Sequence, residues 1–162
     1  MHKYLKTTIS LFSLIILSIN LVSCDKKSKS SEPSQPAAVE VAGEYCDRLT
    51  SVVMNQNFYF EDVNISVIAV DDATVNIEIE SFDNTAMGML MPDLKIENVN
   101  VTGSDGKYIL KETNYSGTAD TGKQYAGTLR GSSTGHKLTL EFSLRYGAMP
   151  IPMTCTYTAT KS

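Results

Sequence analysis

The sequence predicts an all-β fold, an eight-stranded antiparallel up-and-down β-barrel. Three observations carry that expectation. Apolar and polar residues alternate with a period of two along most of residues 41–162. Turn-forming clusters separate the alternating runs. No segment sustains a helical period. Alternation gives each strand one buried and one wet face. Short links make a meander, and a meander of this length tends to close, which removes its exposed edges. A β-sandwich with Greek-key links is the alternative.

The predicted strands run over 42–52, 57–70, 74–82, 88–101, 107–113, 121–130, 136–146 and 150–160. Val63, Ile65, Val67 and Ala69 mark one face of the second, and Val75, Ile77 and Ile79 one face of the third. Leu138, Leu140, Phe142, Leu144 and Tyr146 alternate with Lys137, Thr139, Glu141, Ser143 and Arg145 in the seventh. Asp71–Thr74, Gly103–Gly106 and Gly131–Gly135 supply turns between runs. Pro92, Pro150 and Pro152 lack an amide donor, so they belong at edges, bulges or strand ends.

Residues 1–40 have a different character. Lys3 and Lys6 precede an apolar stretch from about Ile9 to Val22, diluted by Ser10, Ser13, Ser18 and Asn20. That length suits a secretory signal better than a membrane span, which needs about 20 apolar residues. The stretch ends in Leu21-Val22-Ser23-Cys24, which resembles the lipobox of bacterial lipoproteins. The expected organisation is therefore a signal peptide over 1–23, a lipidated Cys24 opening a tether over 24–40, and a barrel over 41–162. The cysteine thiolate would take a diacylglycerol group, and palmitate-type chains would make the anchor, each buried CH₂ adding about 0.8 kcal/mol. Ser, Pro and Lys dominate the tether, so it should stay extended.

Charge and cysteine use narrow the function. Residues 41–162 hold nine basic and fifteen acidic side chains, a net −6. That balance argues against a nucleic-acid partner, which would call for a basic patch. With Cys24 assigned to lipid, Cys46 and Cys155 remain as a candidate disulfide between the first and last strands. The alternation opposes it. Cys155 is in phase with the apolar Met153 and Tyr157, and Cys46 with the polar Glu44 and Arg48. Bonded residues on neighbouring strands must share a face.

Catalytic and metal chemistry is poorly supplied. His136 is the sole histidine after the signal segment and sits beside Gly135 in a predicted turn. A zinc site needs clustered His or Cys ligands. Glu78 and Glu80 share a strand face, but opposite Ile77 and Ile79, which places them on the wet side. The reading is a non-enzyme with no cofactor.

Several local patterns, in order, resemble the calycin-like domain found in lipoproteins of gut Bacteroidales. They are Gly43-Glu44-Tyr45, Ser81-Phe82 through Gly88-Met89-Leu90-Met91-Pro92-Asp93-Leu94, Tyr125-Ala126-Gly127-Thr128-Leu129, Lys137–Phe142, and Met149-Pro150-Ile151-Pro152-Met153. The resemblance spans nearly all of 41–162. It implies a lipocalin-like barrel and an address at the cell envelope, in the outer membrane. The Gly-x-Trp start of true lipocalins is absent, since the chain has no tryptophan.

Two functional readings remain open. In the first, the barrel holds a small apolar ligand, lined by Tyr45, Phe82, Met89, Met91, Phe142 and Met153, with its mouth near the Met-rich loop. In the second, the barrel is filled and meets a protein or glycan through its outer face or loops.

Overall fold

The computed structural model describes residues 35–84 and 88–162. The signal segment, Cys24, residues 25–34 of the tether and Met87 lie outside the described residues. Ten strands appear: β1 Gly43–Val53, β2 Gln56–Asp71, β3 Thr74–Ile79, β4 Phe82–Asn84, β5 Met89–Met91, β6 Leu94–Ser104, β7 Lys107–Thr118, β8 Gln124–Thr134, β9 Lys137–Tyr146 and β10 Met153–Thr160. Eight of them close a barrel in the order β1-β10-β9-β8-β7-β6-β3-β2. Neighbours are antiparallel and sequential, so the barrel is an up-and-down meander. β4 and β5 form a separate hairpin inserted between β3 and β6.

The expected alternation is visible directly in burial. Along β9, Leu138, Leu140, Phe142 and Leu144 are buried, while Lys137, Glu141 and Arg145 are exposed. Along β10, Met153, Cys155, Tyr157 and Ala159 point inward and the four threonines outward. One residue of slip would turn this apolar set into water, which fixes the register.

Three expectations about elements need correction. The strand expected over 88–101 is broken at Pro92-Asp93 into β5 and β6, and the one expected over 74–82 stops at Ile79. Proline cannot donate to a ladder, and the Asp93 carboxylate instead accepts the Ser81 amide at 2.6 Å. β7 and β8 run further than expected, to Thr118 and Thr134, so the turn expected over Gly131–Gly135 shifts to Gly135 and His136. The tether does not extend to Glu40: α1, Ala37–Val41, buries Ala38 and Val41 completely. Five residues are too few to show a helical period in sequence, and tertiary packing stabilises so short a helix.

The barrel has two distinct ends. α1 packs at the end that carries the β2–β3, β6–β7 and β8–β9 turns, where the Ala38 amide donates to the Asp72 carbonyl at 3.2 Å. The Tyr45 hydroxyl donates to the Val41 carbonyl at 2.7 Å and ties the helix to β1. The β4–β5 hairpin stands at the opposite end with the β1–β2, β7–β8 and β9–β10 connections. There Phe82 meets Phe60 edge-on, ring centroids 4.9 Å apart, and Asn84 donates to the Tyr59 carbonyl.

The candidate disulfide is not formed. Cys46 and Cys155 are free thiols, the first exposed and the second buried. Cys46 faces Asn64 across β2, and Cys155 faces Ser51 across β1. Their side chains lie on opposite faces of the wall, which no rotamer change repairs. In folded protein, an aromatic disulfide reagent should titrate one thiol of residues 32–162 at once. The second should react far more slowly, and at once only on denaturation. Two fast thiols, or none, would contradict this placement.

Candidate functional site

A ligand chamber would leave its lining side chains open to a water-sized sphere. The inward faces show the opposite. Tyr45, Leu49, Phe60, Ile65, Ile77, Ile79, Leu94, Ile96, Leu110, Leu129, Leu138 and Tyr157 are all essentially inaccessible. Large side chains from every wall meet in the middle, as in an eight-stranded barrel just wide enough to be filled by them.

The six residues expected to line a ligand site are mostly core. Tyr45, Phe142 and Met153 are buried within the barrel, Tyr45 beside α1. Phe82 and Met91 pair with each other in the hairpin, both buried, and Met89 is half-buried beside them. They are spread over the length of the molecule and share no cavity.

Burial sets the chemistry of the interior. Desolvation raises the Tyr45, Tyr115 and Tyr157 hydroxyls above their ordinary range and pushes the Cys155 thiol up to about 12. The Tyr157 hydroxyl donates to the Val63 carbonyl at 3.0 Å. Ser51 Oγ is the exception, buried beside Cys155 without a hydrogen-bond partner among the described residues. Neutral tyrosines and a protonated thiol anchor a core; they do not supply a base or a nucleophile.

Two cavities among the described residues lie at the surface. One of about 220 Å³ opens between the hairpin and the β7–β8 loop, lined by Leu90, Met91, Pro92, Asp93, Ala119 and Tyr146 among others. This is where a mouth near the Met-rich loop was expected, though Met91 alone of the six predicted residues reaches it. A broader groove of about 410 Å³ crosses the outer wall of β7, β8 and β9 beside Ile109 and the Arg130–Glu141 ion pair. Sequence alternation cannot find either, because each depends on which outward residues of different strands become neighbours.

Exposed apolar side chains concentrate at the hairpin end. Met54 is 72% exposed and Leu90 67%, with Val52, Tyr59 and Ile151 also open. A smaller set, Val39, Ile68 and Val70, lies toward the α1 end, and Ile109 stands alone on β7. His136 is exposed in the β8–β9 turn, and its carbonyl accepts the Lys161 amide. Glu78 and Glu80 are on the outer face, Glu78 beside Lys95 at 3.6 Å and Glu80 accepting from Asn64 at 2.9 Å. Among the described residues no three His, Cys, Asp or Glu side chains converge as a metal site.

Residues 41–160 match the family of calycin-like β-barrel domains. A crystal structure of a candidate outer membrane protein from Bacteroides fragilis is similar, with a TM-score of 0.69 and 24% identity. The similarity covers 78% of this chain and 53% of that one, so the chain spans about half the length of that structural relative. At this identity the likeness concerns the fold. No curated protein matches the chain. The closed antiparallel meander and the family match over the whole barrel agree: the chain belongs to the calycin-like β-barrel domain family.

Proposed function

We propose that this protein is a non-catalytic interaction module, lipid-anchored through Cys24 at the cell envelope, whose recognition surface is the hairpin end of the barrel. One observation carries the reading. The interior is filled, while Met54, Tyr59, Leu90 and Ile151 stand exposed at one end of the barrel. Large apolar side chains gathered in the open mark contact surfaces more often than isolated ones do. α1 lies at the opposite end of the barrel and leaves the hairpin end free to meet a protein or glycan. The lipobox-like Cys24 and the outer membrane description of the structural relative support the envelope address.

Residues 32–162 form one compact unit with a closed barrel and its own core, so they can be tested alone. Native mass spectrometry of that unit, purified without detergent from its own host, is expected to give the apo mass. A reproducible extra mass that leaves on denaturation would overturn the filled-barrel reading. Immobilised unit is expected to retain components of a solubilised envelope fraction. Met54→Glu with Leu90→Glu should abolish that retention without moving the melting temperature. Equal retention by the variant would place recognition elsewhere on the molecule.

A further inference from the structure

The barrel wall is not continuous. β6 and β7 pair from Val101↔Leu110 to Ser104↔Lys107, next to their turn. Beyond that point residues 94–100 of β6 and 111–118 of β7 have no ladder between them. On their outer sides the same stretches still pair, β6 with β3 and β7 with β8.

Two irregularities part the strands where the pairing stops. Asn98 adopts a left-handed backbone with φ 59°, and its amide turns to the Asn76 side chain at 3.0 Å. Register shifts there against β3, between Val75 and Ile77. On the other side β7 shifts against β8 between Leu110 and Thr113. A bulge bends its strand and leaves an unpaired residue. Two facing bulges open a seam.

Two tyrosines stand behind the seam. The Tyr125 hydroxyl accepts the Lys95 amide at 3.2 Å, and it lies hard against Gly117, where any Cβ would collide with it. A single phenol oxygen thus occupies the gap between β6 and β7. The Tyr115 ring is 6.3 Å from that of Tyr125 and donates its hydroxyl to the Ser143 carbonyl at 2.8 Å. Outside them is a polar cleft of about 380 Å³ lined by Lys95, Glu97, Asn114 and Ser116. The Lys95 pairs with Glu78 and Glu97, at 3.6 and 3.4 Å, are half exposed and screened by water.

We propose that this seam is a lateral gate into the core, latched by Tyr125. Opening it breaks the Lys95–Tyr125 hydrogen bond and moves one ring. Opening between fully paired strands would break a run of ladder bonds. Segments with few bonds to lose open first and do so without global unfolding. The proposal does not depend on the hairpin-end reading: a gate with no ligand at the hairpin end, or the reverse, is fully consistent.

Cys155 provides the reporter. It is buried on the inner face of β10, beside β9, the strand whose Ser143 carbonyl accepts the Tyr115 hydroxyl. In residues 32–162 with Cys46→Ser, the rate at which 4,4′-dithiodipyridine labels Cys155 measures opening. Tyr125→Phe keeps the ring and removes the latch bond. It should speed labelling by up to about tenfold, the equivalent of one hydrogen bond, with little change in melting temperature. Gly117→Ala, which forces the phenol out of the seam, should act in the same direction. Amide exchange at Lys95 should accelerate in Tyr125→Phe while the β9–β10 amides hold. Unchanged labelling in both variants would overturn the gate. So would labelling whose urea dependence matches global unfolding.

Discussion

Gly127→Ala should destabilise the barrel by about 3 kcal/mol, the upper part of the range for overpacking a close-packed core. Gly127 is an inward position of β8, paired with Tyr115 on β7. A Cβ there would run into the Ser143 carbonyl oxygen and meet the Tyr115 hydroxyl. The first of these is backbone, so no rotamer relieves the clash. The same carbonyl accepts the Tyr115 bond, and Ser143 Oγ accepts the Thr128 amide at 3.0 Å. Displacing β9 would therefore break at least two bonds besides the contact. Urea unfolding followed by circular dichroism should show a lower midpoint with an unchanged slope. Gly122→Ala is the control. It has open space around it but a φ of +77°, so its cost should be nearer 1 kcal/mol. If the two substitutions cost the same, the close approach at Gly127 is not what holds that position.

Stability should stay level through neutral pH and collapse in alkali. Cys155 is pushed up to about 12 from an ordinary 9.0, chiefly by desolvation, against a smaller opposing effect of Ser51. Its folded state keeps a proton that the unfolded chain loses. Stability from this group is therefore complete below pH 9 and is lost as pH rises toward 12, at about 1.4 kcal/mol per unit. Tyr45, Tyr115 and Tyr157, all raised by burial, add the same sign above their ordinary value of 10.0. A domain of this size has about 5–15 kcal/mol in total, so unfolding should set in between pH 10 and 12. Urea midpoints measured from pH 7 to 11 test this. Cys155→Ala should flatten the slope between pH 9 and 10, where the tyrosines do not yet contribute. An equal slope in wild type and variant there would show that the thiol is not held neutral by the core.

The legible part of this molecule is periodic. Alternation over Val63–Ala69, Val75–Ile79 and Leu138–Leu144 announced strands with one dry face, and each is a barrel strand. The same parity separated Cys46 from Cys155. The hairpin was hidden because Met89 and Met91 alternate as a strand does and lie directly before Leu94 and Ile96, although the phase changes across Pro92-Asp93. Pro92 marks the break, but a proline is equally at home at a strand edge. α1 was hidden by its length. Of the six residues expected around a ligand, Tyr45, Phe142 and Met153 face into the barrel and Phe82, Met89 and Met91 belong to the hairpin, and an apolar inward side chain describes a packed core as readily as a pocket.

The sequence by itself determined the all-β class, the strand order of a meander and which face of each strand is buried. Those are local properties, set by side-chain parity and turn chemistry along one stretch of chain. Only the tertiary structure decided whether the barrel holds a chamber, because that depends on the summed volume of side chains from eight strands meeting at one axis. It likewise decided that the wall parts between β6 and β7. That seam comes from bulges at Asn98 and after Leu110, registered against different neighbours, and pairing between strands is not written in either strand alone.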